Sequence, residues 1–147
     1  MKRKNLIAIK KAKKNLINFK DSKTQLFYDN FKSTISKDIK NKSFALAVSG
    51  GSDSLCLAYF SKRYAIEFGN KIHTLIVDHK LRKESAKEAL KVKKILKTKK
   101  ISCKILNWKG KIPNRNIQKN ARDMRYSLIS NYCLRKKIKY LVTAHHS

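Results

Sequence analysis

The sequence predicts a three-layer α/β domain: a mostly parallel sheet with helices on both faces. Three observations carry this. Short apolar segments without alternation, such as Phe44-Ala-Leu-Ala-Val48, have the pattern of strands buried on both faces. Strand-like and helix-like segments alternate four times along the chain. The first strand runs straight into Ser49-Gly50-Gly51-Ser52-Asp53-Ser54, a turn that opens the next helix.

The elements follow in order. Leu26, Phe27, Phe31, Ile35 and Ile39 recur at helical spacing, which predicts a helix over 24–40 beside the first strand, 44–48. A helix from about Asp53 to Phe68 should end near Gly69. The segment 71–77, "KIHTLIV", is the second strand. A helix over 83–99 presents Ala86, Ala89, Val92 and Leu96 on one face, and a third strand spans 101–106. A loop with Gly110 and Pro113 leads to a helix from about Gln118 to Arg135, with Ala121, Met124, Leu128 and Tyr132 inward. "KYLVTA", 139–144, is the fourth strand. Residues 1–21 read as a basic N-terminal extension and 22–147 as the domain.

Composition narrows the function classes. Among 147 residues, 37 Lys+Arg face 9 Asp+Glu, a net charge of +28. Like charges repel in a compact chain, so an excess of this size points to a polyanionic partner, a nucleic acid. AT-rich codon usage inflates the lysine count, yet Glu, also available to such codons, is scarce. Apolar runs reach five or six residues, far short of a membrane span, and lysines interrupt the N-terminus where a secretory signal needs an apolar core. Cys56, Cys103 and Cys133 are dispersed and form no C-x-x-C pair. Cys56 and Cys103 sit among apolar neighbours and read as core residues, and free thiols suit a reducing cytoplasm.

In open parallel sheets ligands gather at the carboxyl ends of the strands. Four segments should meet there: Ser49–Ser54, Asp78–Arg82, the loop after Leu106, and Thr143–Ser147. In the first, Gly50 and Gly51 permit unusual backbone angles and close ligand approach, and their N–H groups can form an anion nest. The following helix adds its positive N-terminus, and Ser49, Ser52 and Ser54 add hydroxyls. Asp53 suits an anion site only with a cation between; Mg²⁺ bridging carboxylate and phosphate resolves this. A plain helix cap is the blander alternative, but S-G-G-x-D-S after a buried strand is more specific than a lone glycine pair. Neither the G-x-x-x-x-G-K-S/T nor the G-x-G-x-x-G motif is present.

This hexapeptide resembles the PP-loop of the N-type ATP pyrophosphatases, whose fold is that of the adenine nucleotide α-hydrolases. The resemblance implies that Ser49–Ser54 cradle the pyrophosphate part of ATP with Mg²⁺, and that the preceding Ala47-Val48 lies near the adenosine. Three further stretches are similar to the tRNA(Ile)-lysidine synthases. "VDHKLRKES" (77–85) resembles V-D-H-G-L-R-x-E-S, "NIQKNARDMRY" (116–126) resembles N-x-Q-x-x-A-R-x-x-R-Y, and "TAHH" (143–146) resembles the start of T-A-H-H-x-D-D-Q-x-E-T.

The resemblance implies ligation of free L-lysine to the wobble cytidine of tRNA(Ile) with a CAU anticodon, through an adenylated cytidine. Asp53, Arg122 and His145 would be catalytic, with Arg122 near the α-phosphate or the tRNA and His145 at the adenylated centre. Asp78, His79, Arg82, Asn116, Gln118 and Arg125 would contact substrate or tRNA. Asp53 would hold Mg²⁺ with further ligands beyond residue 147, so the domain is expected to be incomplete at its C-terminal end. A homodimer, or a second chain that completes the site, is the assembly this allows. Lys80 replaces the family's glycine, and a positive φ there would strain a lysine by about 1 kcal/mol. Two other readings stand beside this one: a tRNA 2-thiolation enzyme on the same fold, disfavoured by the missing cysteine pair, and a catalytically inactive nucleic-acid-binding module.

Overall fold

The computed structural model describes residues 19–144. Most of the basic extension, and His145, lie outside the described residues. The elements are α1 (Ser22–Ile39), β1 (Phe44–Val48), α2 (Ser52–Phe68), β2 (Ile72–Asp78), α3 (Ser85–Thr98), β3 (Cys103–Asn107), α4 (Ile117–Lys136) and β4 (Leu141–Val142). All strand pairs are parallel, in the order β3-β2-β1-β4. The chain moves outward from β1 through β2 to β3, then crosses back to place β4 on the other side of β1. β1 therefore stands at the topological switch point, where such sheets open a crevice.

Alternate residues of the central strands feed opposite layers. Leu46, Val48 and Ile76 pack on Ala58 of α2 and on Ala89, Val92 and Leu96 of α3. Ala45, Leu75 and Leu106 pack on Ile129 and Tyr132 of α4. Helices thus cover both faces, which is why β1 and β2 show continuous apolar runs. A third cluster, Tyr28, Ile39, Phe44, Phe60 and Tyr64, clamps α1 against α2.

Boundaries agree with the periodicity to within a few residues, and β4 is shorter than the 139–144 expected. Gly69 ends α2 in the left-handed conformation (φ 73°), its N–H reaching the Ala65 carbonyl. Asp21 starts α1 by accepting the Thr24 N–H at 2.7 Å.

The inward faces need correction at three places. On α1, Leu26 and Phe27 are exposed (58% and 53%), and the anchor is the fully buried Tyr28, whose hydroxyl donates to Glu67 Oε1 at 2.9 Å. Spacing allowed either register, and Tyr28-Phe31-Ile35-Ile39 is the one that meets α2. On α3, Ala86 is exposed and Ser85 is buried, because the Ser85 hydroxyl has a carboxylate partner there, Asp78. Cys56 lies exposed on α2 rather than in the core, whereas Cys103 is partly buried.

Candidate functional site

A cleft of about 390 Å³ opens at the carboxyl ends of β1 and β2. Its floor is the strand ends, Ala47-Val48 and Leu75 to Val77. The β1–α2 turn supplies Ser49, Gly51, Ser52, Asp53 and Ser54; the β2–α3 loop supplies His79 and Arg82. Ser85, Glu88, Ala89 and Val92 come from α3, Arg125 and Ile129 from α4, and Thr143 and Ala144 follow β4. Members of three of the four predicted strand-end segments therefore line one cavity.

The two glycines of the turn do different work. Gly50 has φ +93°, and a Cβ there would lie 2.6 Å from Val92 Cγ2. Both the conformation and the packing demand glycine. Gly51 has an ordinary extended conformation (φ −66°, ψ 158°) as the N-cap of α2. A Cβ there would meet nothing closer than Ser49 Oγ at 3.8 Å. Nothing in the protein requires glycine at 51, so its value is the space it leaves in the cleft. The loop is tied shut from behind: buried Ser54 Oγ accepts the Ser49 N–H at 2.8 Å. Gly51, at the N-cap of α2, makes no side-chain cap bond. First-turn N–H groups have no intrahelical acceptor, so this helix end can receive an anion.

The β2–α3 loop is held by Asp78. This carboxylate is 3% exposed, and its Oδ1 accepts both the Lys80 N–H (3.0 Å) and the Ser85 hydroxyl (2.7 Å). It organises the loop and is absent from the cleft lining. Lys80 has φ 55°, the left-handed conformation that makes the glycine of the similar motif intelligible. His79 lines the cleft, and its Nδ1 accepts the Leu81 N–H at 3.3 Å, which leaves the proton of the neutral ring on Nε2. Arg82 reaches Glu88 Oε2 at 2.9 Å across the cleft margin.

Of the two arginines on α4, Arg125 lines the cleft, whereas Arg122 lies over the Tyr126 ring at 5.7 Å, outside that lining. Asn116 occupies the N-cap position of α4 in a left-handed conformation (φ 50°) without a side-chain cap bond. Asn116 and Gln118 are exposed and stand away from the cleft lining. Glu88 and Ser85 belong to the site and were missed. Glu88 left one signal, an acid one helix turn after Glu84 in a chain with nine acids.

The donor set suits Mg²⁺ held mainly by a ligand. Among the described residues no group of three or more His, Cys, Asp or Glu side chains converges. Asp53 in the cleft provides a carboxylate beside the glycine turn, and Mg²⁺ is commonly bound by one or two carboxylates plus substrate phosphates. The three cysteines are free, and burial pushes the Cys103 and Cys133 thiols above their usual value, the reverse of what a reactive thiolate needs.

A glycine turn at the switch point of a parallel sheet, opening an uncapped helix into a cleft, defines a nucleotide-binding α/β domain. More narrowly, residues 21–147 match the PP-loop domain family, and the chain belongs to it. It is 41% identical over 108 residues to the tRNA(Ile)-lysidine synthase of Orientia tsutsugamushi (strain Boryong), an alignment covering 74% of this chain and 24% of that protein. It is 40% identical over 112 residues to the tRNA(Ile)-lysidine synthase of Wolbachia pipientis wMel, covering 72% and 25%. The chain thus spans about a quarter of the length of these relatives. The U34-tRNA thiolase NcsA from Methanococcus maripaludis shares the fold, with a TM-score of 0.68 at 18% identity over 83% of this chain and 46% of that one.

Proposed function

We propose that this chain forms the ATP-binding and adenylating portion of a tRNA(Ile)-lysidine synthase, acting in the cytoplasm. The observation that carries the reading is the Ser49–Ser54 turn, where a positive-φ Gly50 and a side-chain-free Gly51 open the α2 N-terminus into the cleft. The identity to lysidine synthases supports the choice of substrate, and the net charge of +28 supports a tRNA partner.

In this reading the wobble cytosine O2 attacks the α-phosphorus of ATP and expels pyrophosphate. The lysine ε-amine then attacks C2, the ring carbon that bears the adenylated oxygen; the C2–O bond breaks, AMP leaves with that oxygen, and the amine loses a proton. The chain's own groups act chiefly by position and charge. The strand ends Ala47-Val48 and Leu75 to Val77 bed the adenosine. The turn amides, with Ser49 and Ser52, take the departing pyrophosphate, and Ser54 fixes the turn. Arg82 and Arg125 face the phosphates from opposite walls, and His79 stands on the β2 side as a polar contact for the base. Asp53 would hold Mg²⁺, which when bound neutralises charge on the phosphate oxygens. Arg122 and Gln118, outside the cleft, are assigned to the tRNA, with Asn116 beside them; Asp78 supports the loop that carries His79 and Arg82. His145 keeps the role the resemblance implies, at the adenylated centre.

Calorimetric titration of the chain with Mg–ATP tests the core of this. Saturable binding that Gly51→Ala removes is expected; absence of binding, or binding indifferent to that variant, overturns it. Lysine-dependent AMP release with tRNA(Ile) bearing CAU, lost when the wobble cytidine is replaced, tests the substrate.

A further inference from the structure

Trp108 is the chain's single tryptophan, and the reaction above does not use it. It follows β3 at the carboxyl edge of the sheet, where its N–H donates to the Asp78 carbonyl at 3.0 Å. Its indole N–H donates to the Lys111 carbonyl at 3.2 Å. The backbone of Gly110 lies against the ring, so closely that a Cβ there would come within 2.6 Å of Cζ2. The loop therefore holds the indole from its own side and satisfies its one polar group. The ring is only partly buried, so it offers a fixed aromatic surface.

That surface walls a groove of about 360 Å³. The opposite wall is α4, through Asn120, Asp123 and Ser127. The Asn120 amide nitrogen is held by the Arg115 carbonyl at 2.6 Å, so its oxygen, the Asp123 carboxylate and the Ser127 hydroxyl are the polar groups that share the groove with the ring, and such groups read the edge of a base while its face is stacked. The charge around it is one-sided. Residues 89–147 hold 17 Lys+Arg and a single acid, Asp123 itself. Lys109, Lys111, Arg115 and Lys119 surround the groove in sequence. An aromatic shelf inside a cationic field suits a base on a phosphate backbone better than an acidic peptide, which would meet Asp123, or an apolar helix, which needs no cations.

The groove also lies next to the cleft. Asn120, Asp123 and Ser127 run along one flank of α4; Arg125 and Ile129 run along the other and line the cleft. The two cavities are thus separated by one helix, about 10–12 Å across. We propose that Trp108, with Asn120, Asp123 and Ser127, is a stacking site for an unstacked nucleobase near the one delivered to the cleft. This rests on the reading of the cleft as a site that modifies a tRNA base.

The single tryptophan makes the test direct. The chain is titrated with an anticodon stem-loop RNA while tryptophan emission and RNA anisotropy are followed, and Mg–ATP is titrated separately. Saturable quenching that tracks binding is expected. Trp108→Ala should weaken RNA binding about 5- to 150-fold, Trp108→Phe should retain most of it, and ATP affinity should not change. RNA binding with unaltered emission overturns the site, and so does equal binding by a folded Trp108→Ala. The wild-type emission reading needs no variant, so a misfolded substitution does not shield the proposal. Quenching without ATP binding would overturn the reading of the cleft, and with it the place of the stacked base beside a modified one, while the RNA contact at Trp108 itself would still be established.

Discussion

Replacing each glycine of the phosphate turn by alanine should separate folding from binding. At Gly50 the added Cβ meets two obstacles. The φ of +93° disfavours any L-residue, a cost of about 1–2 kcal/mol. The 2.6 Å approach to Val92 Cγ2 is an overpacking of a branched core side chain, about 1–3 kcal/mol. Val92 sits in the cluster that joins α2 and α3 to the sheet, so it has little room to retreat. Gly50→Ala should therefore cost roughly 2–5 kcal/mol and lower Tm by on the order of 10 °C. At Gly51 neither obstacle exists: the backbone is ordinary and the nearest atom is 3.8 Å away. Loss of a preferred cap residue and gain from a stiffer unfolded chain roughly cancel, leaving Gly51→Ala within about 0.5 kcal/mol of wild type. Its Cβ nevertheless occupies the space where a phosphate would approach the α2 amides, so ATP affinity should fall at least tenfold. Urea unfolding and ATP titration read the two effects. Gly50→Ala in a Val92→Ala background should recover the packing part of the loss and keep the φ part. A wild-type midpoint for Gly50→Ala would refute the steric reasoning. Unchanged ATP affinity in Gly51→Ala would refute the placement of the anion.

Other substitutions test neighbouring points. Lys80→Gly should raise stability by up to about 1 kcal/mol, because φ 55° strains a lysine and suits glycine; an unchanged or lower urea midpoint would count against strain at this turn. Asp53→Ala should flatten the Mg²⁺ dependence of ATP affinity, and identical curves at every Mg²⁺ level would contradict the metal role. Glu67 gives a pH prediction. Burial works to raise its pKa, but hydrogen bonds from Tyr28, Lys32 and Arg63 outweigh it and hold the carboxylate below its ordinary 4.5. A depressed pKa stabilises the fold above the unfolded value and is lost as pH falls through the folded one. The urea midpoints of wild type and Glu67→Gln should differ at neutral pH and converge as pH drops below 4.5. A gap that stays constant into acid would show that the ion pairs with Lys32 and Arg63 contribute nothing.

Local features were legible in the sequence and tertiary choices were not. β1 and the turn after it could be read because a doubly buried strand and a glycine pair leave marks within ten residues. Gly69 ended its helix for the same reason. The face of α1 could not be fixed, since Leu26, Phe27 and Tyr28 are adjacent and only contact with α2 selects Tyr28. The burial of Ser85 left no mark in the sequence because its partner, Asp78, lies across a turn in which Lys80 enters the left-handed region. In the site, the segments were evident but the rotation of α4 was not. That rotation decides that Arg125 rather than Arg122 borders the cleft, and that Asn120 and Asp123 face Trp108.

The placement of the acids is the most selective feature of the charge distribution. Eight of the nine precede residue 89, and two of them, Asp53 and Glu88, border a cleft whose cations among the described residues are Arg82 and Arg125. A site meant only to attract phosphate would gain from arginine alone. Carboxylates in it weaken that attraction unless a cation comes with the phosphate or a cationic substrate follows. In the proposed reading Asp53, at the first turn of α2, would serve the former. Glu88 already holds Arg82 at 2.9 Å, so an incoming phosphate must compete with a carboxylate for the guanidinium. When it succeeds, Glu88 is left as a carboxylate beside the phosphates. In the proposed reaction, whose second substrate is an amine, the exposed Arg82–Glu88 pair would have a purpose beyond the small stability such a surface ion pair supplies.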